Sequence, residues 1–73
     1  MYSGELLRKY RTLLGLKQAI VAKNLDVSQQ AVAKIEKKKE VCNDTVTKYL
    51  YAVNSTREEL EKFINFYPHD NKL

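Results

Sequence analysis

The sequence predicts an all-α fold of five short helices packed as one domain. Three observations carry this. Apolar residues recur at three- and four-residue spacing along most of the chain, strand-like alternation is almost absent, and the periodic stretches are separated by short breaks that carry capping and turn residues.

The first helix is expected over Ser3 to Leu14, with Leu6, Leu7, Tyr10, Leu13 and Leu14 on one stripe. Ser3 is an N-cap candidate, and Gly15 suits the left-handed residue that ends a helix. The second spans about Lys17 to Asn24 and the third about Gln29 to Lys37, with Ile20, Val21 and Leu25 as the apolar face of the one and Val32 and Ile35 as that of the other. Between them Asp26 tolerates left-handed backbone, Val27 is expected as an apolar plug, and Ser28 can cap the third helix. The fourth helix begins near Asn43, expected as its cap, and uses Val46, Tyr49, Leu50 and Val53. Thr56-Arg57-Glu58-Glu59 has the form of a capping box that opens the fifth. Leu60, Phe63, Ile64 and Tyr67 form its apolar face and Pro68 ends it, so the domain is expected over 1–68 with a tail at 69–73.

With 73 residues and 44% hydrophobic content, one small core is feasible and wholesale disorder is not expected. One cysteine excludes an internal disulfide and fits a reducing, cytoplasmic setting. No apolar run approaches the ~18 residues of a membrane span, so no membrane partner is expected. Gly-rich phosphate loops, paired-cysteine motifs and H-E-x-x-H are missing from the sequence. Cys42 has no histidine near it in sequence, and His69 with Asp70 is too small a set for a metal site. No enzyme, cofactor or metal is expected.

The net charge of +4 is unevenly placed. Residues 1–39 hold nine Lys/Arg against three acids, a net of +6, while residues 40–73 hold four against six, a net of −2. The positive half is the half that carries the second and third helices, and it would attract phosphate.

Two short helices joined by a tight turn, the second opening on Gln29 and Gln30, have the layout of a helix-turn-helix. Leu7, Arg11, Leu14-Gly15-Leu16, Gln18, Ile20, Val21, Ala22, Leu25, Val27-Ser28, Gln29, Gln30, Val32, Ile35 and Glu36 together resemble the phage repressor/Cro-type (XRE-like) helix-turn-helix family. The resemblance runs from about Glu5 to Leu60 and implies a lambda-repressor-like domain that binds double-stranded DNA. It implies that Gln18 grips a phosphate and buttresses the recognition helix, and that Gln29, Gln30 and Lys34 face the groove. It also implies an Arg11–Glu36 ion pair, in which Arg11 is chiefly structural.

Residue chemistry agrees. A glutamine amide can bond bidentately to adenine, and lysine can donate to guanine O6 and N7. Ala33 can meet a thymine methyl or act as a neutral spacer. Lys17, Ser28 and the run Lys37, Lys38 and Lys39 complete the expected DNA-binding set, with a solvated charge run as the plainer reading of the lysines. Lys17 stands where the family prefers a capping Ser or Thr, Asp26 where it prefers glycine, and the lysine run where it often has glycine.

Tyr10, Tyr49, Phe63 and Tyr67 fall on apolar stripes and are read as core, while Tyr2 and Tyr51 are expected at the surface. Phe66 lies off its helix's stripe. Either it packs on a second copy, making Tyr51, Phe63, Phe66 and Tyr67 candidate homodimer contacts, or the fifth helix simply closes its own core. The expected function is a sequence-specific transcriptional regulator, a repressor of phage or mobile-element type. The alternative is a protein-interaction module, such as an antirepressor or antitoxin, that binds a regulatory partner through the fourth and fifth helices.

Overall fold

A computed structural model describes residues 2–66, which form five helices: α1 (Gly4–Leu13), α2 (Gln18–Leu25), α3 (Gln29–Lys37), α4 (Asn43–Ala52) and α5 (Arg57–Phe66). Tyr67, Pro68 and the expected tail lie outside the described residues. Local chemistry explains most of the boundaries. The Ser3 hydroxyl accepts the Leu6 N–H at 3.1 Å and starts α1, and the Ser28 hydroxyl accepts the Ala31 N–H at 3.1 Å and starts α3. Gly15 at φ 76° and Asp26 at φ 60° turn the chain through left-handed backbone after α1 and α2. Asn54, at φ 59°, does the same after α4.

Two caps differ from expectation. Cys42, not Asn43, is the N-cap of α4 and makes no side-chain cap bond, so Asn43 is already helical. At α5 the Thr56 hydroxyl accepts the Glu59 N–H at 3.2 Å, but the Glu59 carboxylate accepts from the Ser55 hydroxyl at 3.0 Å. Half of the capping box forms.

Leu7, Val21, Val32, Val46, Tyr49 and Leu60 are buried at the centre of the core, with Val41 supplied by the α3–α4 connection. Ala22 is buried where α2 meets its neighbours, and its small side chain allows the approach. The apolar stripes are narrower than the sequence suggests. Leu13 and Leu14 at the end of α1, and Ile20 and Val27 around α2, are all at least 40% exposed. Helices of eight to ten residues bury between one and four residues each, and the flanking positions stay in solvent. Val27 is therefore no plug.

The segment before α1 is held against the far end of α3. Gly4 N–H donates to Lys38 O at 2.8 Å, and Val41 N–H donates to Tyr2 O at 2.8 Å, forming an isolated antiparallel bridge. The Tyr2 hydroxyl donates to the Glu61 carboxylate on α5. Tyr2 thus packs half-buried against the core instead of standing free at the surface. Gly4 makes the approach possible, because a Cβ there would lie 2.1 Å from Ile35 O and 2.6 Å from Glu36 C.

Glycine to alanine in a helix is ordinarily neutral or stabilising. Here the sign reverses. Gly4→Ala is expected to cost at least about 2 kcal/mol, since backbone cannot yield as a flexible side chain would. Gly15→Ala, with nothing within 4 Å of its added methyl, should cost about 1 kcal/mol from the left-handed backbone alone. Urea unfolding of both variants checks the order; a Gly4→Ala midpoint at or above that of Gly15→Ala contradicts the packing.

Candidate nucleic-acid interface

The centre of this region is an ion buried under α3. Glu36, in the last turn of α3, is 5% exposed. Its Oε2 accepts Arg11 Nε at 2.7 Å and the Tyr49 hydroxyl at 2.6 Å, and its Oε1 accepts Arg11 Nη2 at 3.0 Å and Gln18 Nε2 at 2.9 Å. The remaining arm of Arg11 donates to Leu16 O at 2.8 Å, at the link between α1 and α2. Donors from α1, α2 and α4 therefore converge on one carboxylate of α3. Burial pushes the Glu36 carboxyl up, but the hydrogen bonds from Arg11, Tyr49 and Gln18, with the Arg11 charge, outweigh it and hold the group below its ordinary 4.5. Burial, then the bond to Glu36, pushes the Tyr49 hydroxyl well above its ordinary value.

The ion connects to the surface through Gln18. The Gln18 side-chain carbonyl accepts Gln29 Nε2 at 3.4 Å, so Gln18 spans the buried carboxylate and the first residue of α3. Around it Gln18, Ser28, Gln29, Gln30 and Ala33 line one shallow, open concavity at the N-terminal end of α3. Gln29 and Gln30 are exposed, Ala33 is half-buried, and Lys34 stands exposed one turn beyond Gln30. The Ser28 oxygen is occupied as a helix cap, which leaves its O–H free to donate outward.

The lysine run lies at the opposite end of α3. Lys37 ends the helix, Lys38 is its extended C-cap and Lys39 follows, all exposed. Nine residues at 1.5 Å rise put the two ends of α3 about 12 Å apart. Lys17 is the N-cap of α2 and makes no side-chain cap bond, so the first N–H groups of α2 are left to outside partners.

The expected partner-contact residues do not form one surface. Phe63 is half-buried, with its ring 5.2 Å from that of Tyr10. Phe66, 79% exposed, joins Leu13, Leu14 and Phe63 in a groove between α1 and α5. Tyr51, 82% exposed, borders a different concavity with Thr47, Leu50 and Arg57. Among the described residues no cluster of His, Cys, Asp or Glu could hold a metal, and no helix is long and apolar enough to cross a membrane.

A family model described as helix-turn-helix matches residues 7–41, from within α1 through most of the α3–α4 link. That segment, just under half of the chain, is similar to the helix-turn-helix family, whose architecture is one of DNA-binding regulators. No curated protein and no solved structure matches the chain significantly.

Sequence reasoning missed Tyr49 as a ligand of the ion and the Gln18–Glu36 bond. Neither leaves a signal in spacing, since Tyr49 sits on an ordinary apolar stripe.

A carboxyl whose pKa is lower in the folded state stabilises the fold fully above its unfolded value, and that stability is lost as pH falls through the folded value. Unfolding midpoints should therefore drop as the solution is acidified below about pH 4. Glu36→Ala should cost about 3–5 kcal/mol at neutral pH, because it strands the Arg11 charge, and should flatten that acid limb. Tyr49→Phe should cost about 1.5–3 kcal/mol, the range for a hydrogen bond to a charged group. Chemical denaturation across pH 3–7 reads all three; an acid limb unchanged in Glu36→Ala would assign it to other carboxylates.

Proposed function

We propose that this protein is a sequence-specific double-stranded DNA-binding transcriptional regulator that acts as a repressor of the phage or mobile-element kind. One observation carries the reading. Gln29 and Gln30 stand at the exposed start of α3, on a concavity whose inner wall is tied by Gln18 to a buried ion. Side chains that donate and accept suit base edges, and preorganising them lowers the ordering cost of binding.

In this reading Gln29, Gln30 and Lys34 face the major groove, with Ala33 beside them. Lys17, Gln18 and the Ser28 O–H hold phosphates at one end of α3, and Lys37, Lys38 and Lys39 hold them at the other. Contacts at both ends set the depth and angle of α3, whereas contacts at its face choose the sequence. Repression by occupancy needs nothing beyond this, since a bound domain denies the duplex to other proteins.

The groove of Leu13, Leu14, Phe63 and Phe66 favours a second element of the reading, self-association into a two-fold dimer that reads paired half-sites. Exposed aromatic and branched side chains around one groove match an interface better than a solvated face. A regulatory protein that binds the same groove is the competing reading.

Gln30→Ala is expected to relax preference at one base pair, which selection from a random duplex pool would detect. Lys38→Ala should weaken all sequences alike and lower the salt slope of binding by about one. Equal losses on selected and random DNA for both variants would defeat this division of labour. For self-association, sedimentation equilibrium should show Phe66→Ala shifted toward monomer. An unchanged balance removes the dimer.

A further inference from the structure

We infer that Tyr2 couples α5 to the lysine-bearing link between α3 and α4, so that a duplex held at Lys38 and Lys39 steadies α5; this rests on the reading of the lysine run as a phosphate contact. α5 is the least buried of the five helices. Leu60 is its one buried residue, whereas each of the other four buries between two and four. Phe63 and Ile64 are half-buried, and none of the donors to Glu36 comes from α5. An element with so little apolar anchorage opens locally at low cost, so polar ties along its sides carry a large share of its attachment.

Two such ties lead to the same place. Arg57 and Glu61 stand one turn apart on one side of α5. Arg57 Nη2 donates to Asn43 O at 2.9 Å and to the Thr47 hydroxyl at 2.6 Å. Glu61 accepts from the Tyr2 hydroxyl, and Tyr2 O accepts the Val41 N–H at 2.8 Å. Both ties bring α5 to the 41–43 stretch, just past Lys38 and Lys39. Tyr2 is the adapter, since its side chain reaches α5 while its main chain reaches the link. Gly4, two residues on, donates to Lys38 O.

The other side of α5 carries Glu59, Lys62, Phe63 and Phe66, which line the groove against α1. α5 thus stands between that groove and the lysines. Coupling between two sites is reciprocal. Phosphate at the lysines steadies α5, and whatever fills the groove and fixes α5 strengthens the hold on phosphate. Tyr2, Arg57 and Glu61 all lie outside α2 and α3, so this link is built around the helix-turn-helix and not within it.

Native-state hydrogen exchange of the full chain reads the coupling amide by amide. Tyr2→Phe keeps the ring and the main-chain carbonyl and removes only the hydroxyl. In the free protein it should speed exchange at Phe63, Ile64 and Val41 together, by about five-fold, as expected for losing one modest hydrogen bond. The Val21 and Val32 amides should not change. Glu61→Ala should match Tyr2→Phe, and Glu61→Gln, which still offers an acceptor, should stay close to wild type. A short random-sequence duplex is then added at low salt, where phosphate contacts are strongest. It should slow the α5 amides in wild type and leave them unaltered in Tyr2→Phe.

A Tyr2→Phe variant whose α5 or Val41 amides exchange as in wild type overturns the proposal. So does a duplex that protects α3 yet leaves α5 unchanged in wild type, or slows α5 equally in the variant. A duplex that protects neither α3 nor Lys37 to Lys39 overturns the reading of the interface instead, and the free-protein rates still decide whether Tyr2 joins the two elements.

Discussion

The placement of four of the five helices depends on one buried anion. Most of the core is apolar and non-directional; Leu7, Val21, Val32 and Leu60 would tolerate small rotations of one helix on another. The Glu36 carboxylate would not. It has about four acceptor sites and four donor contacts, from Arg11, Gln18 and Tyr49. Each bond has a direction, so moving α1, α2 or α4 relative to α3 leaves a charge or a donor unsatisfied in a dry place. Apolar burial supplies the drive to collapse, and the ion selects one arrangement among those that collapse would allow.

Much of this fold was legible in the residues. Five helices follow from spacing and punctuation, and Ser3, Gly15, Asp26 and Ser28 mark their ends through side-chain oxygens or tolerated backbone angles. What periodicity could not give was the width of each buried stripe. Leu13, Leu14 and Ile20 lie on the apolar stripes that sequence favours for burial, and Val27 lies in the turn between α2 and α3. Yet all four stay exposed because helices of eight to ten residues meet their neighbours only briefly. Nor could it show the role of Gly4. Glycine beside a capping serine looks incidental until the end of α3 is seen against it. Asn54 was overlooked for a related reason, since its left-handed turn follows a valine and offers no glycine to mark it.

The candidate interface divides in the same way. Side-chain type pointed to Gln29, Gln30 and the lysines, because amides and ammonium groups are the chemistry that base edges and phosphates require. Which partner each amide takes was not readable, because a glutamine donates and accepts equally well and its choice is made by neighbours distant in sequence. Tyr49 is the plainest case. Its ring obeys the apolar pattern of α4, while its hydroxyl, at 2.6 Å from Glu36, belongs to the polar centre of the molecule.

The stitching of the amino-terminal segment bears on how tightly the lysine run could grip. Lys38 O is held by Gly4 N–H and Val41 N–H by Tyr2 O, so the stretch carrying Lys38 and Lys39 is moored at both ends. Its main-chain entropy was surrendered when the protein folded. A polyanion arriving there would need to quiet side-chain rotamers alone, at no more than about 2 kcal/mol for each lysine, with no further toll for freezing a loose backbone.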